Sequence, residues 1–84
     1  MKMNLHISNL SFAVREADLR DLFVRYGPVT AIHLVLDGST GHSRGFGFVE
    51  MAREHAMNAI RGLHGKIVEG KAMIVAEARS RSAY

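Results

Sequence analysis

The sequence predicts an α+β domain in which two helices pack on one face of a four-stranded antiparallel sheet. Four segments have the alternation or the β-branched content of strands, and two have apolar residues at helical spacing. They follow one another as strand, helix, strand, strand, helix, strand. Because each helix has a single apolar stripe, both helices must bury it against the same face of the sheet. Right-handed crossovers then place the first and third strands at the centre, in the order 4-1-3-2.

The first half of the chain contains two predicted strands with a helix between them. Residues 3–9 alternate between apolar and polar side chains, and residues 29–36 are rich in β-branched residues. Between them, residues 15–26 have leucine and aromatic side chains at i, i+3, i+4 and i+7. The Gly27–Pro28 pair ends this predicted helix. Its start is poorly marked, because Val14 stands where Ser, Thr or Asp is the usual cap.

The second half repeats the pattern after a predicted hairpin. The turn-rich residues 37–43 join the second strand to a third strand over residues 44–51. Helical spacing returns in residues 53–63, and residues 66–71 predict a short turn or hairpin. Residues 72–78 predict the last strand. The resulting βαββαβ order is the ferredoxin-like arrangement, which many unrelated functions use.

Length and composition fit one small domain. We assign residues 1–79 to it and residues 80–84 to a short, basic, flexible tail. The 84 residues include no cysteine, so the sequence has neither disulfides nor thiolate metal ligands, which suits a reducing, cytoplasmic compartment. The N-terminal apolar run is too short and too polar for a signal peptide, and no stretch is long enough to cross a membrane. The formal net charge of +3 favours a polyanionic partner only weakly.

The third strand places two large aromatic rings on an unexpected face. Its alternation puts Phe46 and Phe48 on the same side as two charged residues, Arg44 and Glu50. The opposite side carries Gly45, Gly47, Val49 and Met51, which suit the face under the helices. The two phenylalanines are therefore expected on the open face of the sheet.

The same strand carries a likeness to a known family. RGFGFVEM, residues 44–51, resembles the longer ribonucleoprotein motif of RNA recognition motif (RRM) proteins, and LHISNL, residues 5–10, resembles the shorter one. The likeness extends along the chain through ADLRDLF, RYGPV, AMNAI and LHGKIVEGK. It is similar to the small single-domain RRM proteins of bacteria, although a domain excised from a larger protein would look much the same. The resemblance implies a non-catalytic role in post-transcriptional regulation, with single-stranded RNA as the partner and single-stranded DNA bound more weakly.

The resemblance also implies which residues meet the nucleic acid. His6, Phe46 and Phe48 would form a platform on which bases stack, and Arg44 would pair with phosphate. For the two glutamates expected near this platform, Glu50 and Glu77, two roles stay open: they accept hydrogen bonds from base amino groups, or they simply repel phosphate. The remaining candidates, including the positive edge that Lys2 would extend, are Asn4, His33, Ile74, Arg79 and Arg81.

Three positions depart from the family pattern, and the third, His64 in place of the Asn common in that turn, is expected to be structural. His6 stands where the short motif usually has Phe or Tyr, and Met51 replaces an aromatic residue at the end of the long motif. Met51 is expected to face the helices. For His6 two interpretations stay open: a neutral stacking ring, or a cation that adds phosphate attraction and tightens RNA binding as the pH falls from about 7.5 to 6, since histidine ordinarily titrates near 6.5.

Other classes of function have little support in the sequence. With the third strand between them, His6 and His33 would be about 10 Å apart, too far for one tetrahedral metal shell. Gly45 and Gly47 lack the third glycine and the following helix of a phosphate loop, and their expected role is to let the helices pack closely. No nucleophile motif or carboxylate pair indicates an enzyme or a cofactor. The alternative is an RRM-like domain that holds a protein partner; in either case we expect a monomer.

Overall fold

The computed structural model describes residues 1–78, and it has the predicted order of elements. Two helices, α1 (Glu16–Val24) and α2 (Arg53–Leu63), accompany three long strands, β1 (Lys2–Ser8), β2 (Val29–Leu36) and β3 (Ser43–Ala52). Three shorter strands follow: β4 (Ile67–Val68), β5 (Lys71–Ala72) and β6 (Ile74–Glu77). In the described residues no helix is both long and apolar enough to span a membrane.

The main sheet has the predicted topology. Its strands lie in the order β2-β3-β1-β6, and every neighbouring pair is antiparallel. With β6 as the last strand of the βαββαβ pattern, this is the order 4-1-3-2. The ferredoxin-like prediction is confirmed, with β1 and β3 at the centre of the sheet.

The core lies between the sheet and the two helices. Alternate residues of the strands are buried under α1 and α2, as the period of two predicts. Met51 is fully buried there, which confirms its expected position on the helix side. The largest fully buried side chains are Phe23, Leu5, Ile7, Leu10, Leu19, Met51, Met73, Val14 and Val49.

The first helix is shorter than predicted at both ends. It begins after Arg15, whose backbone N–H donates to the Asp18 carboxylate at 2.9 Å. The start of the helix is therefore stabilised by Asp18, a residue of its own first turn. At the other end, the backbone N–H of Tyr26 donates to the Phe23 carbonyl at 2.9 Å. The last turn is therefore tightened to the 3₁₀ type, and the Tyr26 ring packs where a Cβ on Gly62 of α2 would collide with it.

The last strand is also shorter than predicted. Lys71 and Ala72 pair with β4 in a separate small hairpin, and β6 begins only at Ile74. The reason lies in the neighbouring strand, β1. Ser8 is the last residue of β1 that pairs with β6, and the next residue, Asn9, turns away with a positive φ of 57°. The Asn9 side-chain amide then donates to the Ala72 carbonyl at 2.7 Å, in place of a strand ladder.

The glycines of β3 do not make room for the helices, so that expectation is wrong. A Cβ at Gly47 would lie 2.6 Å from the His33 carbonyl oxygen and 3.1 Å from the Leu34 Cα. Both atoms belong to the backbone of β2, which packs unusually close to β3 at this point. The absence of a Cβ at Gly47 therefore allows this close approach of β2, the strand that carries the His33 side chain.

We expect Gly47→Ala to lower the free energy of unfolding by about 1–3 kcal/mol, because a strand backbone would have to move to accept the methyl group. Urea denaturation followed by circular dichroism measures the loss. Gly38→Ala is the matched control, since a Cβ at Gly38 meets no atom within 4 Å. Equal stability of the two variants would contradict the close approach of β2.

Candidate nucleic-acid interface

Three rings meet on the face of the sheet that the helices leave open. The register pairs His6 of β1 directly with Phe48 of β3, so their side chains leave the sheet on the same side. The His6 ring centroid lies 5.2 Å from that of Phe48 and 5.9 Å from that of Phe46, and the two phenylalanine rings are 6.5 Å apart. We call His6, Phe46 and Phe48 the ring platform. Each ring is half-buried by its neighbours and presents the rest of its surface to solvent.

His33 and Asn4 extend the open face on either side of the ring platform. His33 of β2 pairs with Phe48, so it continues the row of His6 and Phe48 across the sheet. Asn4 lies one row away, paired with Glu50, and both His33 and Asn4 are exposed. Because β3 separates His6 from His33, the two imidazoles flank Phe48. Among residues 1–78, no three His, Asp or Glu side chains lie close enough together to hold a metal ion.

Glu50 is held by neighbours on the open face. Its carboxylate accepts a hydrogen bond from the Thr30 hydroxyl at 2.8 Å, and the Lys2 Nζ lies 3.9 Å from it. Lys2 is therefore paired with Glu50 and is not a free extension of the predicted positive edge. The two charges offset each other at this end of the sheet, although an exposed pair like this contributes little to stability.

Arg44 lies where the loop between β2 and β3 returns to the sheet. The backbone N–H groups of Ser39 and Thr40 donate to the Asp37 carboxylate at 2.8 and 3.1 Å. These two hydrogen bonds, assisted by the positive charge of Arg44, hold the pKa of Asp37 below its ordinary value. The Arg44 side chain is exposed at the end of the ring platform that Phe46 occupies.

The last strand contributes two apolar side chains to the open face, those of Ile74 and Ala76. Ile74 pairs with Ser8, two residues from His6, and is 44% exposed there. Glu77 pairs instead with Leu5, which is fully buried, so the Glu77 side chain leaves β6 on the helix side and away from the ring platform. Its expected placement beside the platform is wrong for the side chain.

The positive edge was predicted for residues at the end of the chain. Arg79 and Arg81, together with the predicted tail at 80–84, lie outside the described residues 1–78.

Sequence reasoning missed two residues beside the ring platform. Phe12, in the loop between β1 and α1, is 69% exposed, and the Lys71 Nζ lies 5.8 Å from the centre of its ring. An open groove of about 430 Å³ separates them from His6 and Phe46. The sequence did contain one indication: Phe12 is an aromatic residue between the predicted first strand and the predicted first helix, and it belongs to the apolar face of neither. Periodicity says nothing about such a position.

Comparison with known proteins agrees with the fold and the motifs. The sequence profile described as the RNA recognition motif matches residues 5–74. The candidate RNA-binding protein RbpE of Nostoc is 42% identical over 80 residues, which cover 94% of this chain and 81% of that protein. Organelle RRM domain-containing protein 6 of Arabidopsis thaliana is 39% identical over 82 residues and 96% of this chain, but the chain spans only 45% of its length.

Solved structures show the same architecture. The crystal structure of RNA binding protein PG1 superimposes with a TM-score of 0.89 at 45% identity, covering 94% of this chain and 96% of that one. The Sex-lethal protein in complex with RNA gives a TM-score of 0.88 at 30% identity, covering 95% of this chain and 48% of that one. A profile match over most of the chain, similarity to proteins of the same kind and the observed strand order lead to one conclusion: the chain belongs to the RNA recognition motif family.

Proposed function

We propose that this protein binds single-stranded RNA across the open face of its sheet, without catalysis. The observation that carries the proposal is the ring platform: His6, Phe46 and Phe48 lie in mutual contact on the two central strands, on the face that neither helix covers. The bases of single-stranded RNA have exposed π-faces that stack on such rings. Arg44 at one end of the platform supplies a planar, permanently charged fork for phosphate.

The relatives support RNA as the ligand. The candidate protein RbpE is named for RNA binding, and the Sex-lethal protein has been solved in complex with RNA. Neither comparison says which residues of this chain make contact. That assignment rests on the register of β1 and β3 and on the distances between the rings.

The energetics suit a single module of moderate affinity. Stacking contributes roughly 1–3 kcal/mol per base, so two or three bases supply about 2–9 kcal/mol before the cost of ordering the RNA. A micromolar dissociation constant corresponds to about −8 kcal/mol, which lies within reach. Around the platform, we assign supporting contacts to Asn4, His33 and Ile74, and to main-chain groups near the end of β6.

Selection from a random RNA pool tests the proposal directly. We expect enriched sequences with dissociation constants in the micromolar region and a short common motif, with single-stranded DNA of the same sequences competing only at higher concentration. Such a result gives the ligand class and the base preference together. Failure of any RNA to enrich, or displacement by DNA at equal concentration, would contradict RNA as the preferred ligand.

A further inference from the structure

The groove beside the ring platform has the features of a nucleotide site. Phe12 forms one wall, with 69% of its surface exposed, while Phe46 and His6 form the other. The open volume is about 430 Å³. An aromatic ring this exposed stands outside the core of the domain and beyond the three rings of the platform. It offers a fourth surface on which a base could stack.

The groove is held in shape by hydrogen bonds between three segments. The Leu10 backbone N–H donates to the Gly45 carbonyl at 2.9 Å, which ties the loop after β1 to the start of β3. The Asn9 amide donates to the Ala72 carbonyl at 2.7 Å, which ties the same loop to the small β4–β5 hairpin. The Phe12 ring in turn lies 3.4 Å from the position that a Cβ on Gly45 would occupy. These hydrogen bonds tie the loop that carries Phe12 and the β4–β5 hairpin to each other and to the start of β3, beside the ring platform.

The charges around the groove fit a phosphate. Arg44 and Lys71 both line it, and the Lys71 Nζ lies 5.8 Å from the Phe12 ring centre. Within the part of the chain that the structure describes, no Asp or Glu lines the groove, whereas at the other end of the platform Glu50 lies beside Lys2. The positive charge is thus concentrated at the Phe46 end of the open face.

We propose that this groove is an additional nucleotide subsite, in which one base stacks on Phe12 and its phosphate lies between Arg44 and Lys71. The inference rests on the proposed function, since it takes the RNA strand to run off the ring platform at Phe46. Its consequence is a longer footprint: the strand is held by one nucleotide more than the three platform rings account for. An aromatic ring and two cations that converge on one groove form a stacking-plus-phosphate site of the kind that single strands occupy.

RNA length separates this subsite from the platform. The probes are fluorescein-labelled RNA pools of randomised sequence, from trimers to hexamers, titrated with the wild-type protein and with Phe12→Ala. We expect Phe12→Ala to weaken hexamer binding about 5- to 100-fold while trimer binding changes less than about twofold, because a trimer is filled by the platform alone. Phe46→Ala, in contrast, should weaken both pools.

A matched lysine pair tests the phosphate contact. Lys71→Gln should weaken the hexamer and lower the slope of log affinity against log salt by about 1, and Lys66→Gln should leave that slope unchanged. Lys66 is the control because it is exposed near the same hairpin but does not line the groove. Equal effects of the two lysine substitutions would overturn the phosphate assignment.

Three further results would overturn the subsite and leave the proposed function standing. The first is unchanged hexamer binding by Phe12→Ala; the second is an equal loss with trimers and hexamers, which would make Phe12 a structural residue. The NMR chemical shifts of the Phe12 ring protons are measured in the wild-type protein, so this test does not depend on correct folding of the Phe12→Ala variant. They should move with hexamers and not with trimers, and the absence of any shift would also overturn the subsite. Absence of RNA binding by the wild-type protein would instead defeat the proposed function itself.

Discussion

Replacing Phe46 and Phe48 together by alanine should remove most RNA binding while the protein stays folded. Each substitution deletes a ring of the platform, and base stacking is worth roughly 1–3 kcal/mol per ring, so the pair should cost about 2–6 kcal/mol of binding free energy. From a micromolar starting point, the complex would then be barely measurable. Fluorescence anisotropy with the selected RNA measures the loss, and far-ultraviolet circular dichroism reports the fold.

Ile67→Ala is the control for this double variant. Ile67 is a comparably large apolar residue, 64% exposed, but it lies on β4 and outside the open face of the main sheet. Its removal should change RNA affinity less than about twofold, since it makes no stacking surface. Undiminished RNA binding by the Phe46/Phe48 variant would refute the ring platform as the site of recognition.

Phe23→Ala should have the opposite effect: a large loss of stability with little effect on the binding surface. Phe23 lies on the buried face of α1 and has no solvent-exposed surface. Truncating a buried phenylalanine costs about 3–5 kcal/mol through lost transfer free energy and the cavity left behind. An 84-residue domain has a total stability of roughly 4–13 kcal/mol, so this single change removes a large part of it.

Urea denaturation measures that loss, and the next residue on α1 provides the comparison. Val24 is 49% exposed, and Val24→Ala should change the free energy of unfolding by less than about 0.5 kcal/mol. At low temperature, where Phe23→Ala is still folded, its RNA affinity should match that of the wild type. A stability loss as small as that of Val24→Ala would show that the packing around α1 is looser than the structure indicates.

The sequence was sufficient to predict which face of β3 is open, because a strand alternates its side chains strictly. That alternation placed Phe46 and Phe48 on one face and Val49 and Met51 on the other, and the structure confirms both assignments. The strand order followed from the helix stripes and the handedness of the crossovers, which are general properties of chains. Periodic elements therefore accounted for the fold and for the ring platform.

The positions that sequence reasoning missed are governed by single backbone turns and tertiary contacts. The positive φ of Asn9 ends the pairing of β1 with β6, so the strand predicted from residue 72 begins later. The same turn brings Lys71 towards Phe12, a pairing of residues 59 positions apart that no local pattern encodes. Glu77 is a different case: it lies two residues after the buried Val75, so the alternation of the last strand by itself places its side chain on the helix side.

The shape of the two outer strands has a consequence for self-association. A sheet with an open aromatic face and free edges is at risk of pairing with another copy, strand against strand. Here one edge strand, β6, has only four residues, and the other, β2, carries register shifts between Val29 and Ala31 and between Leu34 and Leu36. Short and irregular edges are poor templates for intermolecular strand addition. The molecule can therefore keep bare aromatic rings on its face without an edge that seeds aggregation.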